Sequence, residues 1–163
     1  MDIDDFLNAN RVVLGLRARD KPSLLTEAAR IAAGQMAGGL MSNGTMAGGS
    51  ATGISRATIE AALLAREQLG STGLGAGFAL PHARIEGLSR FLGVFIRLAR
   101  PIDFDAIDGK PVDLVFLLLI PAGAADHVSA LAAVSRRFRD TALVTRIREV
   151  ANPATAFGLL TNH

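Results

Sequence analysis

Cysteine, tryptophan and tyrosine are all absent from this 163-residue chain. Without cysteine there is no disulfide, no thiolate nucleophile and no Cys-based zinc site, and the composition suits a reducing compartment. Nucleic-acid binding calls for a basic stripe and stacking aromatics. Here the formal charge is only +2, acidic and basic residues are mixed, and phenylalanine supplies every aromatic ring. No nucleic-acid partner is expected. Long hydrophobic runs are missing too: Leu114 to Ala125 is broken by Pro121 and falls short of the roughly 20 residues of a spanning helix. The opening Met1-Asp2-Ile3-Asp4-Asp5 is acidic where a secretory signal would be basic. A soluble, cytoplasmic chain with no membrane insertion is expected. There is no Gly-x-Ser-x-Gly elbow and no Gly-x-x-x-x-Gly-Lys-Ser/Thr phosphate loop, so neither serine hydrolysis nor ATP use has its usual parts.

What is present is a chain half apolar and long enough to bury a proper core. We read residues 1–163 as a single domain. Val12 to Leu16 forms a first strand, and a helix starts at Asp20-Lys21-Pro22, with proline where its missing N–H costs nothing. Leu24, Leu25, Ala28, Ala29, Ala32 and Ala33 give that helix its apolar face. From about 34 to 54 glycine, alanine, methionine and serine replace charge, and the segment reads as a flexible insertion, either a surface loop or a glycine-interrupted helix extension. Ser55 caps a helix running to Leu69 and stopping at Gly70. Strands follow at Phe78–Leu80, Leu92–Leu98 and Val112–Ile120, the last apolar enough for burial on both faces. Helices follow at Asp126 to Arg139, Ala142 to Val150 and from Asn152-Pro153 onward. The short hop between the latter two strands allows an antiparallel pair. The expected fold is therefore an α/β three-layer sandwich, a central mixed sheet flanked by helices.

The run Gly77-Phe78-Ala79-Leu80-Pro81-His82 brings an apolar strand into Pro81 and presents an imidazole at its end, where α/β sheets commonly carry their chemistry. Arg66 shares a helix face with Ile59 and Leu63, so it points inward or along the edge, as a salt-bridge partner or an anion clamp. Glu67 reads as a helix-surface or partner charge. His127 follows Asp126, a good N-cap, and its phase matches Leu131, Val134 and Phe138. A helix N-terminus keeps an imidazole neutral, suiting it as hydrogen-bond partner or nucleophile. His82 and His127 should open on the same side of the sheet, and terminal His163 has no role. The spacing makes no His-x-x-x-His pattern, and although Asp103, Asp105 or Asp108 could add a carboxylate, Arg66 argues against a cation. No metal and no cofactor are expected. A histidine, an arginine and a helix N-terminus suffice for phosphoryl transfer: a neutral nitrogen attacks in line while fixed donors balance charge on the oxygens.

Arg66-Glu67-Gln68-Leu69-Gly70-Ser71-Thr72-Gly73-Leu74-Gly75 followed by Gly77 to His82 resembles the IIA domains of the fructose–mannitol class of the phosphoenolpyruvate-dependent phosphotransferase system. The segment from Pro101 to Phe116 is most similar to the nitrogen-regulatory branch, EIIA-Ntr. The resemblance covers nearly the whole chain, the Gly/Met-rich stretch from Gly34 to Gly53 being the departure. It implies that His82 is the phosphorylated nucleophile, supplied by HPr or its nitrogen-branch homologue NPr. It also implies that Arg66 stabilises the phosphoryl charge and His127 orients or stabilises the group. Such a protein is a phosphocarrier with a transiently phosphorylated histidine. Two roles follow: a regulator whose phosphorylation state changes its target proteins, or a transport component passing phosphate to a IIB domain. The chain carries no attached IIB or membrane segment, which favours regulation. A metal- or small-molecule-binding domain is a weaker third reading.

Overall fold

The computed structural model describes residues 1–41 and 54–162. Short 3-10 turns at Ile3–Asp5 and Ala9–Arg11 lead into β1 (Val12–Leu16). Helix α1 (Lys21–Met41) starts behind Asp20, whose Oδ1 accepts from the Ser23 N–H at 2.9 Å. It continues through Gly34 to Met41, and residues 42–53, where the rest of the expected flexible segment falls, lie outside the described residues. Helix α2 (Arg56–Gln68) is capped as expected, Ser55 Oγ accepting from the Thr58 N–H at 3.1 Å. Then come β2 (Gly73–Gly75), β3 (Phe78–Ala79), β4 (His82–Ile85), β5 (Leu92–Ile102) and β6 (Val112–Pro121). Helices α3 (His127–Phe138), α4 (Thr141–Ile147) and α5 (Pro153–Thr161) complete the chain.

The sheet runs β1-β5-β6-β3-β2, with β4 pairing β6 beyond β3. β5 and β6 are antiparallel, while β1–β5, β3–β6 and β4–β6 are parallel, so the sheet is mixed. Alternation along β6 sorts the core into two halves. Val115, Leu117 and Leu119 join Leu24, Ala28 and Ile59 under α1 and α2. Leu114, Phe116, Leu118 and Ile120 join Ala130, Val134, Ile147 and Ala156 under α3, α4 and α5. The three-layer α/β sandwich is thus the observed fold. On the second face Phe138 stacks on Phe78 with centroids 4.1 Å apart. Arg97 Nη1 donates to the carbonyls of Ile147 and Val150, at 3.0 and 2.7 Å, and satisfies the end of α4.

The strands depart from the sequence expectation at three points. The strand expected at Phe78–Leu80 is Phe78–Ala79, and His82 opens a further strand, β4, rather than following a strand end. β2 has no counterpart in the sequence pattern, since three residues of Gly-Leu-Gly carry no alternation. β5 runs four residues beyond Leu98, to Ile102. The β2–β3 turn passes through Gly75, Ala76 and Gly77, all at positive φ (99°, 56° and 80°). It is held by Asp108, which accepts from the Ala76 N–H, and by Arg148, which donates to the Ala76 carbonyl, each at 2.9 Å.

Candidate functional site

β3 and β4 are one strand interrupted by proline, flanked by β2 along β3 and lying at the sheet edge along β4. Ala79 faces Val115 and His82 faces Leu118, three residues further on each strand, so the register carries across the break without a slip. Pro81 has no N–H to give, but its carbonyl accepts from the Leu118 N–H at 3.0 Å and keeps the ladder in step. Ala83 and Ile85 point into the α1/α2 half of the core. His82 and Arg84 therefore take the opposite phase, in register with Leu118 and Ile120 on the α3 side. β4 has no partner on its outer side among the described residues, so groups from both helical layers can converge on His82 around that edge.

His82 is half-buried, and its Nδ1 lies 2.9 Å from the Leu80 carbonyl oxygen. A carbonyl only accepts, so Nδ1 carries the hydrogen and Nε2 keeps its in-plane lone pair. The His82 pKa is held below the usual imidazole value of 6.5, first by burial. The bond to Leu80 pulls it up, Arg66 pushes it down, Glu67 pulls it up and His127 pushes it down. Arg66 and His127, which the sequence grouped with His82, thus both act on its ring.

Arg66 is half-buried at the end of α2, where its Nη1 donates to the Gly70 carbonyl at 2.9 Å. No described carboxylate pairs with it. His127 is the first residue of α3, and Arg84 Nη2 lies 3.2 Å from its Nδ1 and 3.1 Å from its Nε2. Arg84 Nη1 donates to the Ala122 carbonyl at 3.2 Å, bracing the end of β6. Asp126 does not cap α3: at φ −103° and ψ 24° its backbone is outside the extended range, and its carboxylate makes no capping bond. Glu67 is not a surface charge either. Its side chain is 6% exposed, paired with Lys21 Nζ at 2.6 Å and bonded to Thr72. Period two from His82 would have marked Arg84 had β4 been read as a strand; nothing local marked Lys21, which reaches Glu67 from another helix.

Clefts of about 890 Å³ beside Arg17 and Arg100 and about 810 Å³ beside Phe78 and Arg148 are lined by none of Arg66, His82 and His127. Exposed apolar side chains lie close to site residues in the sequence, Leu69 three residues after Arg66 and Val128 next to His127. Among the described residues, no three His, Asp or Glu side chains are grouped to hold a metal ion, and no helix is long and apolar enough to cross a membrane.

Similarity to known proteins agrees with this architecture. The chain is 48% identical over 99 residues to a nitrogen regulatory protein of Bradyrhizobium diazoefficiens, and 42% identical over 103 residues to one of Escherichia coli. Those alignments cover 60% and 62% of this chain, and 65% and 63% of the relatives, under two thirds of either. The crystal structure of nitrogen regulatory protein IIA-Ntr from Neisseria meningitidis superposes with a TM-score of 0.83 at 32% identity, covering 98% of this chain and 99% of that one. The family model described as phosphoenolpyruvate-dependent sugar phosphotransferase system, EIIA 2, matches residues 5–163, and the chain belongs to that family.

Proposed function

We propose that this chain is a cytoplasmic phosphohistidine carrier that accepts a phosphoryl group on His82 from HPr or NPr and acts as a nitrogen-branch regulatory protein. The observation that carries the reading is the 2.9 Å contact between Nδ1 of His82 and the Leu80 carbonyl, which commits Nδ1 to donation and leaves Nε2 as the nucleophile. The Nε2 lone pair attacks the phosphorus of the donor's phosphohistidine. The donor's P–N bond breaks as the P–Nε2 bond forms, and the donor nitrogen keeps the electron pair. The His82 ring retains its Nδ1 hydrogen and becomes a cationic phosphoimidazole, its N–H still on Leu80.

Arg66 supplies fixed positive charge to the transferring oxygens without a proton step. Arg84 has only donors, so a ring nitrogen of His127 accepts from it; the other carries the hydrogen that can be donated to a phosphoryl oxygen. Neighbouring exposed Leu69 and Val128 suit a macromolecular donor better than a small molecule. Incubation with phosphoenolpyruvate, enzyme I and HPr or NPr tests the reading. One phosphate, labile in acid and stable in alkali, is expected on the chain, and none would overturn it.

A sugar-transport role, in which His82 passes phosphate to a IIB domain, is the second reading; the family's description as a sugar phosphotransferase system favours keeping it. Rapid discharge of the phosphorylated chain onto a IIB domain would support transport, and persistence of the phosphate in its presence would support regulation.

A further inference from the structure

We propose that Glu67 is a positioning residue for His82, holding through Thr72 and the Leu80 carbonyl the ring tautomer that leaves Nε2 free. This rests on the phosphocarrier reading and extends it to a residue with no assigned part. The Glu67 carboxylate accepts from the Thr72 N–H at 3.2 and 3.3 Å and from the Thr72 hydroxyl. So anchored, the Thr72 carbonyl accepts from the Leu80 N–H at 2.9 Å. The Leu80 carbonyl in turn receives Nδ1–H of His82, also at 2.9 Å. The two middle residues of the relay are buried, Thr72 3% exposed and Leu80 4%, and it ends on the half-buried His82 ring.

The charge on Glu67 has a second use. A buried carboxylate needs a partner, and Lys21 provides it from α1, its Nζ 2.6 Å from Oε2 and 4.6 Å from the centre of the Phe104 ring. Asp105 lies 3.8 Å from the same ammonium on its exposed side. The groups acting on the imidazole are then Arg66 and Glu67 from α2 and His127 from α3, with Arg84 on its own strand held against His127. Glu67 is the one anion among them. It opposes Arg66 in the resting ring, and it favours the cationic ring that exists once Nε2 is phosphorylated.

Side-chain NMR of the full chain across a pH titration reads tautomer and midpoint directly, independent of phosphorylation. Glu67→Gln keeps an oxygen for Thr72 and discards the charge. The His82 midpoint should fall by about half a pH unit or more, with Nε2–H tautomer gained. Phosphorylated fraction over unphosphorylated, at a fixed donor ratio, should drop about threefold, which is the same half unit. Lys21→Met uncovers the carboxylate and should move the midpoint upward, giving the sign even where Glu67→Gln does not fold. An unchanged midpoint and tautomer in Glu67→Gln, or shifts in the same direction in both variants, would overturn the proposal. Failure of the wild-type chain to accept phosphate would instead overturn the phosphocarrier reading, leaving the positioning of the ring to be judged by the titration.

Discussion

Arg84 sets its Nη2 3.1 Å from Nε2 and 3.2 Å from Nδ1 of His127, joining the strand that carries His82 to the first turn of α3. The two residues are 43 apart in the chain. The contact fixes where a second imidazole stands relative to the first, and Arg84 is itself exposed. Replacing it should therefore disturb transfer more than folding. Arg84→Met is expected to slow phosphorylation about tenfold, in line with losing one positioned donor, and to shift the melting temperature little. Stopped-flow transfer and a thermal melt on the same sample decide it; a large drop in melting temperature at unchanged rate would make Arg84 a purely structural brace.

The two histidines should respond unequally. His82→Ala should take up no acid-labile phosphate while staying folded, because the nucleophile is gone. His127→Ala should still be phosphorylated, about 10²-fold more slowly if it donates to the transferring group. Intact-mass measurement over time separates the cases, and phosphate kept in His82→Ala but lost in His127→Ala would reverse the roles.

Arg66→Lys keeps the charge but loses the planar fork and the bond to Gly70. A slowing of about tenfold or more is expected, with melting changed by no more than an ordinary hydrogen bond, about 1 kcal/mol. Equal rates with a lowered melting temperature would assign Arg66 to the end of α2 alone.

Burial holds the folded His82 pKa below its unfolded value of about 6.5. The folded state thus resists protonation there, and this contribution to stability is complete above the unfolded value. It declines as pH falls below that value and through the folded one. Between pH 7 and pH 5 the denaturant midpoint of wild type should fall relative to that of His82→Gln, whose profile lacks this slope. Phosphoryl acceptance should persist to lower pH than an unperturbed imidazole would allow, since the lowered pKa keeps more of the ring neutral.

Gly73 tests the glycine-rich turn. A Cβ built on it would lie 2.8 Å from both Cα and Cβ of Ala106, and backbone cannot swing aside as a flexible side chain can. Gly73→Ala should cost about 1–3 kcal/mol by overpacking, read from urea melts. Since β2 pairs with β3 through Gly73 and Ala79, phosphorylation should also slow.

Local signals that depend on one element were legible in the sequence. The caps at Asp20 and Ser55, the apolar face from Leu24 to Ala32 and the continuous burial of Val112–Ile120 all act within a few residues. Arg66, His82 and His127 stood out for the same reason, each by its phase or its place at an element's end. Asp126 misled because an N-cap needs a backbone conformation as well as a carboxylate, and its conformation is set by how β6 turns into α3.

By itself the sequence determined which segments are helical, that the sheet is mixed, and which histidines and arginine stand at the ends of elements, because periodicity, capping and residue type are properties of short stretches. Only the tertiary structure decided that the strand resumes after Pro81 in unbroken register, since that depends on Leu118 donating to the Pro81 carbonyl from another strand. It alone decided that Glu67 is buried against Lys21 and Thr72, and that Arg84 meets His127. Charges acquire partners from distant parts of the chain, and those partners cannot be read from the residues beside them.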